Sequence, residues 1–218
     1  MNEVAPLANE FAGLYSDIGR YYTEKVNTHG ATPWGVDWPC LPTQELRFVQ
    51  LLRLCDFGLP LTLNDLGCGY GAMLAFLAKR HKRKSIDYLG IDLSAAMIAE
   101  ARQLWQQRPN TEFVVGHASH RVADYSLASG IFNVKLGQAD ALWTRFVEKT
   151  LTSMHATSRH GFAVNFLAPL AEGEIGRTQL YRSPSRVWRT FCEKELGATA
   201  EVLESYGMLE YTLLVRRG

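Results

Sequence analysis

The apolar residues Phe11, Leu14, Tyr15, Ile18, Tyr22 and Val26 return at three- and four-residue steps, which predicts an amphipathic helix over residues 7–26. Gly30 stops it, since glycine readily takes the left-handed turn that closes a helix. The next stretch, ATPWGVDWPCLP, holds Pro33, Pro39 and Pro42 beside Trp34 and Trp38. Proline has no N–H to give to a helix or a central strand, so this segment is expected to be an ordered, aromatic-rich loop. A second helix, capped by Thr43, runs through Leu46, Val49, Leu52 and Cys55 and ends at Gly58, ahead of Pro60.

From Leu61 the period changes. Short apolar runs alternate with helical stretches: LTLNDL, then a helix over 73–80; YLGID, then a helix over 95–107; FVV; a strand over 125–129; a helix over 139–154; and a strand over 161–167. This βαβ order calls for a parallel sheet with right-handed crossovers. The closing ATAEVLESYGMLEYTLLVRR has two β-rich runs around a SYG turn, expected to form an antiparallel pair. A chain of 218 residues suits one α/β domain, with residues 1–60 as a helical and loop lid and 61–218 as the core.

Composition narrows the function. A formal charge of +1 and a pI of about 7.7 give no broad field toward phosphate backbones or anionic membranes, so neither nucleic acid nor a membrane is expected as partner. The first residues, MNEVAPLANEF, lack a basic n-region and an apolar core, and a cytoplasmic location is expected. Cys40, Cys55, Cys68 and Cys192 have no CxxC spacing and no clustered histidines, so they are read as reduced thiols, and no metal is expected. The basic run Lys79 to Lys84 falls between a helix end and a strand start, where it complements the helix dipole at the edge opposite a ligand.

The chemistry begins at Asp65-Leu66-Gly67-Cys68-Gly69-Tyr70-Gly71, placed where a strand gives way to a helix. Alternate glycines let the backbone turn tightly and approach a ligand, and the next helix offers unpaired N–H groups. Twenty-one residues after Gly71, at a strand tip, stands Asp92, suited to accept hydrogen bonds from both hydroxyls of a ribose. A nicotinamide dinucleotide is the rival. Asp65 would repel a pyrophosphate but attract a cationic amino-acid group, and an antiparallel closing pair is unlike the second half of a dinucleotide fold.

NDLGCGYG, followed by GIDLS and FVVGHAS, resembles the first three motifs of class I S-adenosylmethionine-dependent methyltransferases, and the likeness runs from Leu61 to Arg217. The resemblance implies a Rossmann-like three-layer sandwich with a seven-stranded, mostly parallel sheet and an antiparallel last strand. It implies S-adenosylmethionine as cofactor, with Asp65, Gly67, Gly69 and Gly71 around the methionine part, Asp92 on the ribose, and Leu93 and Met97 on one adenine face. Cys68, His117, Ala118 and Ser129 join this set; His117 stands near the position where the family often places an aspartate.

The implied reaction is methyl transfer to an O or N atom of a small-molecule acceptor by in-line displacement; an RNA or protein acceptor is the alternative. The segment after the fourth strand lacks the NPPY-like sequence common in enzymes that methylate bases or amides, and its Ile131, Phe132 and Asn133 are expected to contact the acceptor. Tyr22, Trp34 and Trp38 of the lid, with Tyr181 and Arg182 of a basic and aromatic insert, complete the expected acceptor side. His29 and Asp37 are the candidate bases or orienting groups. The protein is expected to be a monomer or a homodimer.

Overall fold

The computed structural model describes residues 10–218, so the start of the first expected helix, residues 7–9, lies outside the described residues. Helix α1 spans Ala12–His29 and is closed by Gly30 at φ 65°. A 3-10 turn, Pro33–Val36, breaks the expected loop, and helix α2 covers Leu41–Leu52. This helix starts before Thr43 because Pro42 sits in its first turn, where no backbone N–H is needed. The Thr43 hydroxyl instead donates back to the Cys40 carbonyl at 3.0 Å. The end at Leu52 is also earlier than Gly58.

Beyond it alternate β1 (Leu61–Leu66), α3 (Ala72–Arg80), β2 (Ile86–Asp92), α4 (Ala95–Trp105), β3 (Thr111–Val115), β4 (Ala123–Ala128), α5 (Asp140–Ala156), β5 (Ser158–Leu167), α6 (Ser185–Lys194), β6 (Thr199–Leu203) and β7 (Glu210–Arg216). The sheet order is β3-β2-β1-β4-β5-β7-β6, with β7 antiparallel to both its neighbours. Strands β1 to β5 pair in parallel, as the βαβ rhythm requires. The seven-stranded Rossmann-like sheet with a reversed last strand is therefore present.

Helices cover both faces, which explains why the central strands are apolar on both sides. Along β5 the side chains alternate: Phe162, Val164 and Phe166 enter a cluster with Phe146, Leu151, Trp188 and Tyr211, while Ala163 faces Phe48, Leu63, Leu74 and Leu214. Phe11, Leu14 and Ile18 belong to the first cluster, so α1 shares the core of the sheet. Helix α6 follows the insert of Tyr181 and Arg182 directly and takes in Arg186, Trp188 and Arg189; Trp188 is buried and its indole donates to the Ser183 hydroxyl at 3.0 Å.

Because β1 pairs with both β2 and β4, the strand order reverses there, and a crevice opens beyond the carboxyl ends of these strands. The basic run from Lys79 lies at the opposite edge, between the end of α3 and the start of β2. Among the described residues no helix is long and apolar enough to cross a membrane.

Candidate cofactor and acceptor site

At the end of β1 the chain bends through Gly67, Gly69 and Gly71, at φ 73°, 54° and 86°, a region that side-chain-bearing residues avoid. Space is short as well. A Cβ on Gly67 would lie 2.2 Å from Ile131 Cγ2, and one on Gly71 2.6 Å from Trp105 Nε1. The N–H groups of Gly67 and Cys68 both donate to the Ile91 carbonyl, so the tip of β2 anchors the bend.

Asp92 ends β2 and fastens the bend to the next helix. Its Oδ2 accepts from the Gly69 N–H at 2.9 Å and its Oδ1 from the Ser94 N–H at 2.8 Å. Ser94 in turn caps α4, its Oγ accepting from the Met97 N–H at 3.2 Å. Burial raises the Asp92 carboxyl above its ordinary range, and the backbone N–H bonds pull it back down.

Asp65, on β1, is buried beside it and accepts a hydrogen bond from the Tyr88 phenol on β2. Burial pushes its carboxyl up to about 7; the Tyr88 bond opposes the shift and the Asp92 charge adds to it. A second carboxylate in a dry crevice is costly when ionised, and a cationic group arriving there relieves the cost.

The crevice encloses about 940 Å³, its open mouth included. Of the residues expected at the cofactor, Asp65, Gly67, Cys68, Gly69, Asp92, Leu93, Met97, His117 and Ser129 line it. Gly71 caps α3 and shapes the bend instead, and Ala118 is outside the lining. Of the residues expected at the acceptor, Tyr22, Trp38 and Ile131 line it.

The remaining assignments meet a different geometry. His29 is an exposed residue in the last turn of α1 and Asp37 is held by the Tyr21 phenol at 2.7 Å and by Lys25 at 2.6 Å, so neither candidate base faces the crevice. The carboxylate of Asp37 ties the 3-10 turn to α1, and His29 complements the helix dipole. Trp34 is 60% exposed, and Phe132 is buried in the core, stacked on Phe166. Arg182 donates to the Ala168 carbonyl at 2.8 Å, and Tyr181 packs near Trp143; neither lines the crevice. Asn133 is buried just behind the lining, and neither polar atom of its side chain has a hydrogen-bond partner.

Other lining residues carried no sequence signal. Ile18 comes from α1, Gln44 and Phe48 from α2, and Phe146 and Thr150 from α5. Tyr15, read only as part of the apolar stripe of the first helix, stacks on His117 with ring centres 4.5 Å apart and planes 7° from parallel. The hydroxyl of Ser129, at the end of β4, is buried without a partner.

A sheet in this order, bearing a glycine bend and a strand-tip acid where the order reverses, defines the class I S-adenosylmethionine-dependent methyltransferases. Comparison with known proteins agrees: residues 64–161 match the family described as methyltransferase domain. Over 166 residues, 76% of this chain, it is 37% identical to 99% of a Mycobacterium tuberculosis protein named as a methyltransferase. In fold it is similar to magnesium protoporphyrin IX methyltransferase of Synechocystis, solved with bound S-adenosylhomocysteine, at a TM-score of 0.65 and 13% identity over 93% of this chain and 99% of that one. It is also similar to human N-acetylserotonin methyltransferase in complex with S-adenosylmethionine, at 0.61 and 15% over 98% of this chain and 60% of that one. The chain belongs to the class I S-adenosylmethionine-dependent methyltransferase family.

The site fits that cofactor. The bend leaves open the space that Cβ atoms would fill, and the carboxyls of Asp65 and Asp92 line the crevice beside it, where a cation or hydroxyl donors would find acceptors.

Proposed function

We propose that the protein methylates an O or N atom of a small molecule, with residues 1–60 acting as a lid over the core of 61–218. The observation that carries this is the roof of the crevice: Tyr15, Ile18 and Tyr22 of α1, Val36 and Trp38 after it, and Gln44 and Phe48 of α2 all line it. A chamber covered from three segments suits a compact acceptor better than a nucleic-acid or protein chain, which calls for an open groove.

When bound, S-adenosylmethionine supplies a methyl group made electrophilic by its positively charged sulfur. Asp92 is the acceptor for the ribose hydroxyls, held in place by the Gly69 and Ser94 N–H groups. Asp65 neutralises the ammonium. Leu93 and Met97 give one apolar face for the adenine, and Gly116 and His117 stand at the same end of the lining. The Ser129 hydroxyl, buried and unpartnered, is free to orient the acceptor's O–H or N–H. The lid residues keep water out. A thioether leaving group needs no proton, so alignment and dryness are the protein's main contributions.

The test is incubation with methyl-labelled S-adenosylmethionine and a fractionated cell extract. Label should enter the small-molecule fraction; label confined to RNA or protein overturns the proposal.

A further inference from the structure

A group of charged and polar side chains lies buried at the acceptor end of the sheet and takes no part in holding the cofactor. Arg47 of α2 and Glu210 of β7 are each 5% exposed, and Asn165 of β5 is fully buried. Arg47 Nε donates to Glu210 Oε2 at 2.8 Å, its Nη2 pairs with Oε1, and its Nη1 reaches the Thr43 carbonyl at 2.8 Å. Asn165 Nδ2 donates to the same Glu210 Oε2 at 3.2 Å, and Asn165 Oδ1 accepts from the Gly130 N–H at 2.8 Å.

Trp38 joins these groups to the crevice. The Arg47 guanidinium lies 3.7 Å from the centre of its ring, and a Cβ on Gly130 would lie 2.5 Å from its Cζ2, so the indole is held between the helix and the loop after β4. Exchanging a buried ion pair for apolar residues of the same volume is often neutral or stabilising, so stability is a weak reason for this one. Fixing the plane of Trp38 beside Ser129, Gly130 and Ile131 is a stronger one.

The same geometry restricts the acceptor. Among the described residues no lysine or arginine lines the crevice, and its carboxyls, Asp65 and Asp92, belong to the cofactor end. Arg47 is neutralised in place by Glu210, and Arg182 is turned to a backbone carbonyl. A charged acceptor would find no lysine or arginine there, and with the demethylated cofactor bound, whose sulfur is neutral, a carboxylate would be buried without a fixed counter-charge. What the lining offers is the flat indole of Trp38 together with Tyr22 and Ile131, with the Ser129 hydroxyl as polar anchor.

On the reading of the site as a small-molecule methyltransferase, we infer that the acceptor is an uncharged planar ring system seated against Trp38, and that the Arg47–Glu210 pair is the positioning device for that indole. The probes are 2-naphthol, the anionic naphthalene-2-carboxylate and the saturated decahydro-2-naphthol, each titrated by calorimetry into protein loaded with S-adenosylhomocysteine. 2-Naphthol should bind about tenfold tighter than decahydro-2-naphthol, the scale of one stacked ring pair, and more than tenfold tighter than the carboxylate, whose unpaired buried charge costs more.

Trp38→Ala should remove that preference and leave S-adenosylhomocysteine affinity unchanged. The double variant Arg47→Met/Glu210→Leu exchanges the ion pair for apolar bulk; it should keep its melting temperature and cofactor affinity yet weaken 2-naphthol binding about tenfold. A purely structural pair would leave the naphthol affinity alone. Naphthoate binding as tightly as naphthol, no naphthol binding at all, or wild-type naphthol affinity in Trp38→Ala overturns the inference. Failure of the unmodified protein to bind S-adenosylhomocysteine overturns the methyltransferase reading instead.

Discussion

Replacing Asp92 by Asn keeps the shape of the side chain and changes only what its second atom can do. The carboxylate accepts two backbone N–H bonds, from Gly69 at 2.9 Å and Ser94 at 2.8 Å. An amide can accept only one of them; its NH2 then confronts the other N–H, donor against donor. The lost bond, made to a charged acceptor in a buried site, is worth about 1.5–3 kcal/mol. For a chain of this size that corresponds to a fall in melting temperature of roughly 3–12 °C, at about 2–4 °C per kcal/mol. The ribose loses a charged acceptor at the same time, and one such bond is about 10- to 150-fold in affinity. Calorimetric titration of S-adenosylhomocysteine, with thermal unfolding of the same sample, reads both. Unchanged affinity together with an unchanged melting temperature would refute the idea that Asp92 ties the glycine bend to α4 and grips the sugar.

Three further outcomes are expected. Gly67→Ala places a Cβ at φ 73° and 2.2 Å from Ile131 Cγ2; it should cost about 1–2 kcal/mol in backbone strain plus about 1–3 in overpacking, and abolish detectable S-adenosylhomocysteine binding by calorimetry. Asp65, pushed up to about 7 in the fold, binds more protons folded than unfolded between its ordinary range and 7, so its contribution to stability is lost as pH rises through 7. Ammonium binding favours the ionised carboxyl, so S-adenosylhomocysteine affinity should rise from pH 6 to 8 and flatten in Asp65→Asn; a falling or Asp65-independent profile counts against it. Phe166 is fully buried between Phe132, Trp188 and Tyr211, and Phe166→Ala should destabilise by about 3–5 kcal/mol in urea unfolding while the cofactor bend stays intact.

The parts of the fold that follow local periodicity were legible in the sequence. β1, β2, α3 and α4 could be read from apolar runs and caps, and Asp92 from its distance to the glycines, because strand, bend and helix lengths fix that spacing. Boundaries set by pairing were harder: Ser158, Arg159 and His160 look like loop, yet Ser158 pairs with Ala123 at the start of β5. Side-chain direction was harder still. Nothing in the local pattern says that Asp37 turns toward Lys25 and Tyr21, or that Trp38 faces the crevice while Trp34 faces water. The Arg47–Glu210 pair joins residues 163 positions apart and leaves no periodic trace.

The order in which the chain is made adds a constraint. β7 lies between β5 and β6, yet it is synthesised after both. On the ribosome, β5 waits with a bare hydrogen-bonding edge, and the guanidinium of Arg47 has no counter-ion until residue 210 emerges. The indole of Trp38 therefore gains the paired guanidinium behind it only with β7, and a nascent chain short of that strand has the glycine bend before it has that support.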